Sequence, residues 1–134
     1  MSVRLSIIPI QISDQQAALK WYTEKLGMEK IMDDPMGPEL RWITVKLPED
    51  EVQFVLANFG AFDPEGAQPG STSGYVLWTD DIQATYQEWS ARGVEFSEPP
   101  TQQMWGTQAL FHDPDGNGWV LVQRPTPDTP STTT

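Results

Sequence analysis

The sequence predicts an α+β fold built from two tandem βαβββ modules. Three observations favour it: two helical segments of one design, a strand-like run before each, and a hairpin pattern after each. The helical segments are SDQQAALKWYTEKLGM (13–28) and DDIQATYQEWSARGV (80–94). The two hairpins align at a constant offset of 66 residues, which pairs Val45 with Phe111 and Pro48 with Pro114. The chain therefore repeats one structural unit.

The composition narrows the class of protein and its partners. The chain has 134 residues, 38% of them hydrophobic, which suits one domain with a modest core. It contains no cysteine, so disulfides, thiolate metal sites and thiol catalysis are excluded. A net charge of -11 disfavours nucleic acid and favours a cationic ligand, unless it serves only solubility. No segment reaches membrane-spanning length and no signal peptide is evident, so we expect a cytoplasmic protein with no membrane partner.

The first module begins with the strand-like run LSIIPIQI (5–12). Asp14 is placed to cap the N-terminus of the helix that follows, and Gly27 stands where a helix ends in a left-handed residue. Apolar residues recur between them at helical spacing. A short strand near residues 28–32 and a hairpin over residues 41–59 complete the module.

The second module repeats this order. A strand over residues 74–79 leads to a helix capped by Asp81, and Gly93 follows its last turn. A short strand over residues 94–96 and a hairpin over residues 107–124 come next. We predict one structural domain, comprising a first module (1–59), a Gly/Pro/Ser-rich linker (60–73), a second module (74–124) and a disordered low-complexity tail (125–134).

The closing hairpin contains the stretch DPDGN (113–117), followed by Gly118. The spacing of its Asp and Asn side chains is that of an EF-hand calcium loop. An EF-hand needs a bidentate Glu at loop position twelve, where this chain has the cation Arg124. Pro114 and the Asp115-Gly116 pair are typical of a hairpin turn. The stretch is therefore predicted to be a β-turn between two strands.

These features together resemble the vicinal oxygen chelate superfamily, which includes glyoxalase I, extradiol dioxygenases, fosfomycin resistance enzymes and bleomycin-binding proteins. The resemblance spans residues 3–124 and rests on the repeated module, the patterns D…A…Y…LG and DDI.A…..GV, and the closing F.DPDGN.W.L. It implies that the strands form a curved, partly open, cup-shaped sheet. It also implies a homodimer, and pairing would bury strand edges that are prone to aggregate.

The resemblance also locates the metal ligands of the family's metal-dependent members. Counting from the helix caps and from DPDGN, the four positions are Ile7, Phe54, Gly74 and Val120. None offers a side-chain donor, and the flanking strand residues contain no His, Asp or Glu. We therefore expect no metal and no cofactor. No nucleophile–base pair is apparent either, because the chain has a single histidine, His112, and so we assign no catalytic residue.

Strand alternation from these four positions predicts which side chains face the cup. The opposite face, packed under the helices, is predicted to contain Ile8, Ile10, Ile43, Val45, Val55, Tyr75, Leu77, Ala109, Phe111 and Leu121. Residues 102–108 are predicted to form a loop at the mouth. Trp42, Trp78 and Trp105 are candidate stacking platforms, with core packing as the alternative for each. The candidate ligand contacts are Gln11, Trp42, Thr44, Phe54, Asn58, Trp78, Met104, Trp105, Gln108, Leu110, His112 and Val122.

The resemblance then implies the role of the family's metal-free members. In that role the protein would sequester a small hydrophobic or aromatic drug-like molecule without a metal, as in antibiotic resistance. A cationic ligand is one alternative. Two alternatives stay open. One is a glyoxalase- or dioxygenase-like enzyme with an atypical active site, and the other is an accessory interaction protein with no ligand.

Overall fold

The computed structural model describes residues 1–58 and 67–124. Within them the chain forms two compact units, one of Met1–Thr72 with Pro114–Asn117, the other of Ser73–Asp113 with the residues from Gly118 onward. Each unit contains one helix and one four-stranded mixed sheet, so the α+β class and the repeated βαβββ order are confirmed. Residues 60–66 of the predicted linker and the whole predicted tail, 125–134, lie outside the described residues.

The first unit consists of β1 (Ile7–Gln11), α1 (Gln15–Leu26), β2 (Glu29–Pro35), β3 (Arg41–Lys46) and β4 (Gln53–Ala57). Its strand order is β1-β4-β3-β2, with β1 parallel to β4 and the other two pairings antiparallel. The second unit consists of β5 (Ser73–Trp78), α2 (Ile82–Ala91), β6 (Glu95–Gln103), β7 (Gly106–His112) and β8 (Gly118–Gln123). Its order is β5-β8-β7-β6, and again only the first pairing is parallel.

The helices begin and end where the sequence predicts. The Asp14 side chain accepts a hydrogen bond from the backbone N–H of Ala17 at 3.0 Å, and Asp81 does the same for Ala84 at 3.1 Å. Each bond satisfies a donor that the first helical turn leaves without an internal partner. Gly27 ends α1 with φ at 74°, a left-handed conformation that favours glycine. No helix in the described part of the chain is both long enough and apolar enough to cross a membrane.

One face of each sheet packs against its own helix. In the first unit this face and α1 bury Ile10, Ile43, Leu56 and Tyr22 completely. In the second unit Trp89 of α2 meets Phe111 edge to face, with ring centroids 5.4 Å apart. Eight of the ten residues predicted for the helix-side face are buried, the exceptions being Ile8 and Tyr75. Strand pairing places nine of the ten on that face, and the exception is Val55 of β4.

Strand β4 presents the opposite faces from those predicted. Residues paired across neighbouring strands point to the same side of a sheet. Phe54 pairs with Ile8 and with Val45, so Phe54 and Leu56 lie on the α1 side, whereas Val55 pairs with Thr44 on the other side. The predicted placements of Phe54 on the cup side and of Val55 under the helix are therefore wrong.

The physical reason is the length of the preceding turn. The first hairpin connects its strands through residues 47–52, and the second connects them through residues 113–117, one residue fewer. A constant offset of 66 residues holds for β3 and β7 but fails after the turns. Because side chains alternate with a period of two, a slip of one residue turns every side chain of the strand to the other face.

The turn over residues 113–117 joins β7 to β8, which confirms the predicted hairpin turn. Residues 114–117 of this turn belong to the first unit. Their polar side chains form hydrogen bonds with other residues of that unit. The Asp115 carboxylate accepts from the backbone N–H and hydroxyl of Ser13, at 3.2 and 2.6 Å. Asn117 is fully buried, donates to the Gln11 carbonyl at 2.7 Å and accepts from the Thr72 N–H at 2.9 Å. The calcium-like residues therefore serve as structural hydrogen-bonding groups.

Candidate ligand-binding face

The sheet face opposite α2 carries most of the predicted contacts in the second unit. Strand pairing places these side chains together: Val76, Trp78, Gln108, Leu110, His112, Val120 and Val122. Two of them project strongly, Val76 with 49% of its surface exposed and Trp78 with 57%. Large apolar side chains exposed side by side on a regular sheet are candidates for ligand contact. We call this set the α2-opposite face.

One row of the α2-opposite face crosses three strands. Trp78 on β5 pairs with Val122 on β8, which pairs with Gln108 on β7. Neighbouring strands are about 4.8 Å apart, so the row from Trp78 to Gln108 spans roughly 10 Å. Trp105 extends the row, since its indole N–H donates to the Gln108 side-chain oxygen at 3.1 Å. The structure thus brings together four of the residues predicted from sequence.

The loop predicted over residues 102–108 is shorter in the structure. Strand β6 runs to Gln103 and β7 begins at Gly106, so only Met104 and Trp105 form the turn. Met104 is 73% exposed and Trp105 is 55% exposed. Both side chains are available to a ligand that reaches the end of the row.

Arg124 adds a charge beside Trp78 that sequence reasoning did not associate with the site. Its guanidinium carbon lies 4.0 Å from the centroid of a Trp78 ring, within the range of a cation–π contact. The register explains the contact, because Trp78 pairs with Val122 and Arg124 has the same parity two residues farther along. Strand pairing across the sheet was the missing information.

His112 lies at the other end of the same face. Its Nδ1 is 3.1 Å from the Asp113 carbonyl oxygen, and its Nε2 is 3.8 Å from a carboxylate oxygen of Glu95. The second contact is an ion pair only when the imidazole is protonated. With one neighbouring carboxylate, His112 has the surroundings of a surface residue at a strand end rather than of a metal ligand.

In the first unit the face opposite α1 contains Gln11, Trp42 and Thr44, as predicted. Thr44 is fully buried and its hydroxyl accepts from the Met32 N–H at 3.2 Å, which is a structural role. Asn58 follows β4 and donates to the Ser13 carbonyl at 3.2 Å. Phe54 lies on the α1 side, as described above.

Three side chains of β4 take the place of Phe54 on this face: Gln53, Val55 and Ala57. The Gln53 side-chain oxygen is buried and has no hydrogen-bond partner among the described residues. A constant offset between the two hairpins cannot place these residues, because the turn over residues 47–52 is one residue longer than the turn over residues 113–117. The unequal turn length is the signal in the sequence that marks the shift.

The corrected register also tests whether the chain can hold the metal of the family's metal-dependent members. The β4 position that corresponds to Val120 becomes Val55 instead of Phe54. Ile7, Val55, Gly74 and Val120 still provide no oxygen, nitrogen or sulfur ligand. No group of three His, Cys, Asp or Glu side chains arranged to bind a metal occurs within residues 1–58 and 67–124. The residues at these positions therefore do not fit a divalent metal.

Comparison with known proteins agrees with this architecture. A family model described as the Glyoxalase/Bleomycin resistance protein/Dioxygenase superfamily matches residues 4–121. The structure is similar to that of TnmS3, an antibiotic binding protein from Streptomyces sp. CB03234, at 33% identity and a TM-score of 0.81, covering 92% of this chain and 97% of that one. A superfamily member from Sphaerobacter thermophilus DSM 20745 is 35% identical with a TM-score of 0.83, covering 92% and 98%.

A relative from Bacillus subtilis (strain 168), the uncharacterized protein YetH, is 34% identical over 126 residues, which is 92% of this chain and 100% of YetH. These similarities extend across both modules and are not confined to one motif. The chain therefore belongs to the glyoxalase/bleomycin resistance protein/dioxygenase superfamily, the vicinal oxygen chelate group that its repeated module and its DPDGN turn resemble.

Proposed function

We propose that this protein is a metal-independent binding protein that sequesters a small hydrophobic or aromatic molecule of the antibiotic type. The observation that carries the proposal is the row of Trp78, Val122, Gln108 and Trp105, which joins two half-exposed indoles through a hydrogen bond and strand pairing. Indole rings supply large apolar contact area and a polar N–H, the combination that binds flat ligands.

Two further findings support the proposal. The positions that would hold a divalent metal are occupied by Ile, Val and Gly, which offer no metal ligand. A binding role does not require a metal, so it is compatible with these residues. The structurally similar TnmS3, 33% identical to this chain, is an antibiotic binding protein. Binding a flat apolar molecule requires only a shaped apolar surface with a few polar groups.

We further propose that the protein acts in the cytoplasm as a homodimer that binds two ligands. A two-fold symmetric pair would give two equivalent sites and would cover exposed apolar strand residues such as Val76. Nucleic acid is not expected as a partner because a net charge of -11 repels phosphates.

The test is a screen of aromatic antibiotics, including bleomycin-like glycopeptides, by quenching of tryptophan fluorescence. We expect one class to quench saturably, unchanged by a chelator and with no chemical change in the compound. Conversion of the compound, or a requirement for one equivalent of divalent metal, would instead favour the glyoxalase- or dioxygenase-like enzyme. Failure of every compound to bind would favour an accessory interaction protein.

Two tryptophan variants separate binding from stability. Trp105→Ala should weaken binding of the identified ligand about tenfold while leaving stability nearly unchanged, because the side chain is exposed. Trp89→Ala should leave the ligand-binding surface intact but lower the free energy of unfolding by about 3–5 kcal/mol, because Trp89 is 8% exposed and packs on Phe111. Titration and urea unfolding of both variants measure the two effects. Unchanged affinity of Trp105→Ala would contradict the assigned site.

A further inference from the structure

The partner of Arg124 is unusual for this chain. Acidic residues outnumber basic ones by 19 to 8, so carboxylates are abundant. Within the described residues each of the other three arginines forms an ion pair, in the pairs Arg4–Glu51, Arg41–Asp33 and Arg92–Glu88. Arg124 instead lies over the Trp78 indole, with its guanidinium carbon 4.0 Å from the ring centroid. It forms no ion pair with Asp80, although that exposed carboxylate is only two residues from Trp78.

The position of the Arg124 guanidinium over the indole ring determines which of its N–H groups can donate hydrogen bonds to a ligand. A guanidinium lying over a ring uses its flat face and leaves N–H donors along its edge. Those donors match the two oxygens of a carboxylate, or a phenolate oxygen, in a charge-assisted contact. A flat ligand in contact with the exposed part of Trp78 would bring a substituent of its ring to this edge.

A cationic ligand faces the opposite situation. The Trp78 ring would attract it, but Arg124 already occupies a face of that ring, so the cation must displace Arg124 or tolerate its charge. Glu95 and Glu98, the acidic side chains within this sheet, are on β6, three strands away from β5 and so roughly 14 Å distant. Asp80 is nearer along the chain, two residues beyond Trp78, but it lies outside the strand. The attraction between a cation and the net negative charge of the chain comes from many distant groups. Salt screens it over about 8 Å at physiological ionic strength.

We propose that Arg124 makes the α2-opposite face selective for planar aromatic molecules that carry an anionic oxygen, such as an aryl carboxylate or a phenolate. This inference rests on the proposed binding function and refines it. It reverses the preference for cations that the net charge suggests. Long-range attraction favours cations on approach, and the short-range contact with Arg124 selects among the molecules that arrive.

Three probes with one ring system test the charge preference. They are anthracene-9-carboxylate, the neutral 9-anthracenemethanol and the cationic 9-(aminomethyl)anthracene, with binding followed by probe fluorescence anisotropy at about 0.15 M ionic strength. We expect the carboxylate to bind at least about tenfold more tightly than the alcohol, because a hydrogen bond to a charged group is stronger than one between neutral groups. The ammonium probe should bind no more tightly than the alcohol.

Variants assign the preference to Arg124. Arg124→Gln should reduce the affinity for the carboxylate to that for the alcohol. Arg124→Lys, which keeps the charge but not the flat guanidinium, should retain only part of the preference. The matched control is Arg92→Gln, which changes the net charge equally but lies at the end of α2 in an ion pair with Glu88. It should leave all three affinities unchanged, and thermal unfolding checks that every variant is folded.

The outcomes separate this inference from the proposed function. A carboxylate that binds no more tightly than the alcohol, or equal effects of Arg124→Gln and Arg92→Gln, would overturn the role of Arg124. If the alcohol nevertheless binds and Trp105→Ala weakens it, the binding function stands without the charge preference. If none of the three probes binds, the inference is wrong, and the antibiotic screen alone then decides the proposed function.

Discussion

At the scale of single residues, Asp33 and Arg41 form the best-oriented ion pair among the described residues. The Arg41 Nε and Nη2 atoms donate to the two carboxylate oxygens of Asp33, at 2.9 and 2.6 Å. Hydrogen bonding from Arg41 holds the pKa of the Asp33 carboxyl below its ordinary value of 3.8. A carboxyl with a lowered pKa stabilises the fold fully above its unfolded pKa, and this contribution is lost as pH falls through the lower, folded value.

Asp33→Asn should therefore destabilise the protein in a pH-dependent way. At pH 7 we expect the free energy of unfolding to fall by about 1 kcal/mol, because the pair is bidentate but partly solvated. The difference from the parent protein should shrink as pH falls below 3.8. Urea unfolding at a series of pH values measures it. Asp34→Asn, at an exposed neighbouring carboxylate, is the matched control, and an equal loss in that variant would contradict the assignment.

Asn117 is a second residue whose role is local and testable. Its amide bridges the Gln11 carbonyl and the Thr72 N–H, and Gly70 also donates to the Gln11 carbonyl at 3.1 Å. The close approach explains Gly70 as well, since a Cβ there would strike the Asp115 carbonyl oxygen. These contacts hold residues 114–117 in the first unit.

Asn117→Ala should lower the free energy of unfolding by about 2 kcal/mol, because it removes two hydrogen bonds at a fully buried side chain. Asn117→Asp retains the acceptor for Thr72 but loses the donor to Gln11, so it serves as a partial variant. Denaturant unfolding of both proteins gives the values. A loss below about 0.5 kcal/mol in Asn117→Ala would show that the bridge contributes little.

At the scale of elements, the register of β4 determines what Phe54 does. Phe54 is 6% exposed and lies on the α1 side of the sheet. Phe54→Ala should therefore cost about 3–5 kcal/mol of unfolding free energy and leave ligand affinity unchanged. Unfolding and titration of the variant measure both quantities, with Val55→Ala on the opposite face as the comparison. A stable Phe54→Ala variant with weakened binding would restore the original prediction and refute this register.

At the scale of the whole molecule, strand edges bear on the proposed homodimer. Strand β6 contains Pro99 and Pro100 and shifts register twice along β7, and β2 shifts register at residues 30–32. Proline and bulges are features that discourage an edge from pairing with another chain. The protection of these two edges therefore supports pairing less than the sequence suggested, and the stronger argument is the exposed apolar side chain of Val76 on β5.

We still expect a two-fold dimer in solution. Light scattering coupled to size exclusion should give about 30 kDa, twice the 15.1 kDa chain. A mass of 15.1 kDa across the concentrations used for ligand binding would contradict the dimer but leave the binding function intact. Val76→Glu, which places a charge on the exposed part of β5, should lower the mass if this surface is the interface.

The sequence by itself determined the features that depend on near neighbours along the chain. The caps at Asp14 and Asp81, the end of α1 at Gly27 and the turn at DPDGN each follow from contacts within a few residues, and repetition of the pattern then revealed the two modules. The faces of β7 and β8 were also predictable, because alternation within a strand is a local property.

The tertiary structure decided which strands lie beside one another and in what register. That information placed Phe54 under α1, put Asn117 against Gln11 and Thr72, and set Arg124 over Trp78. Residues far apart in sequence meet in all three cases. One additional residue in a turn reverses the face of a whole strand, so composition and periodicity cannot fix such contacts until the strands are paired.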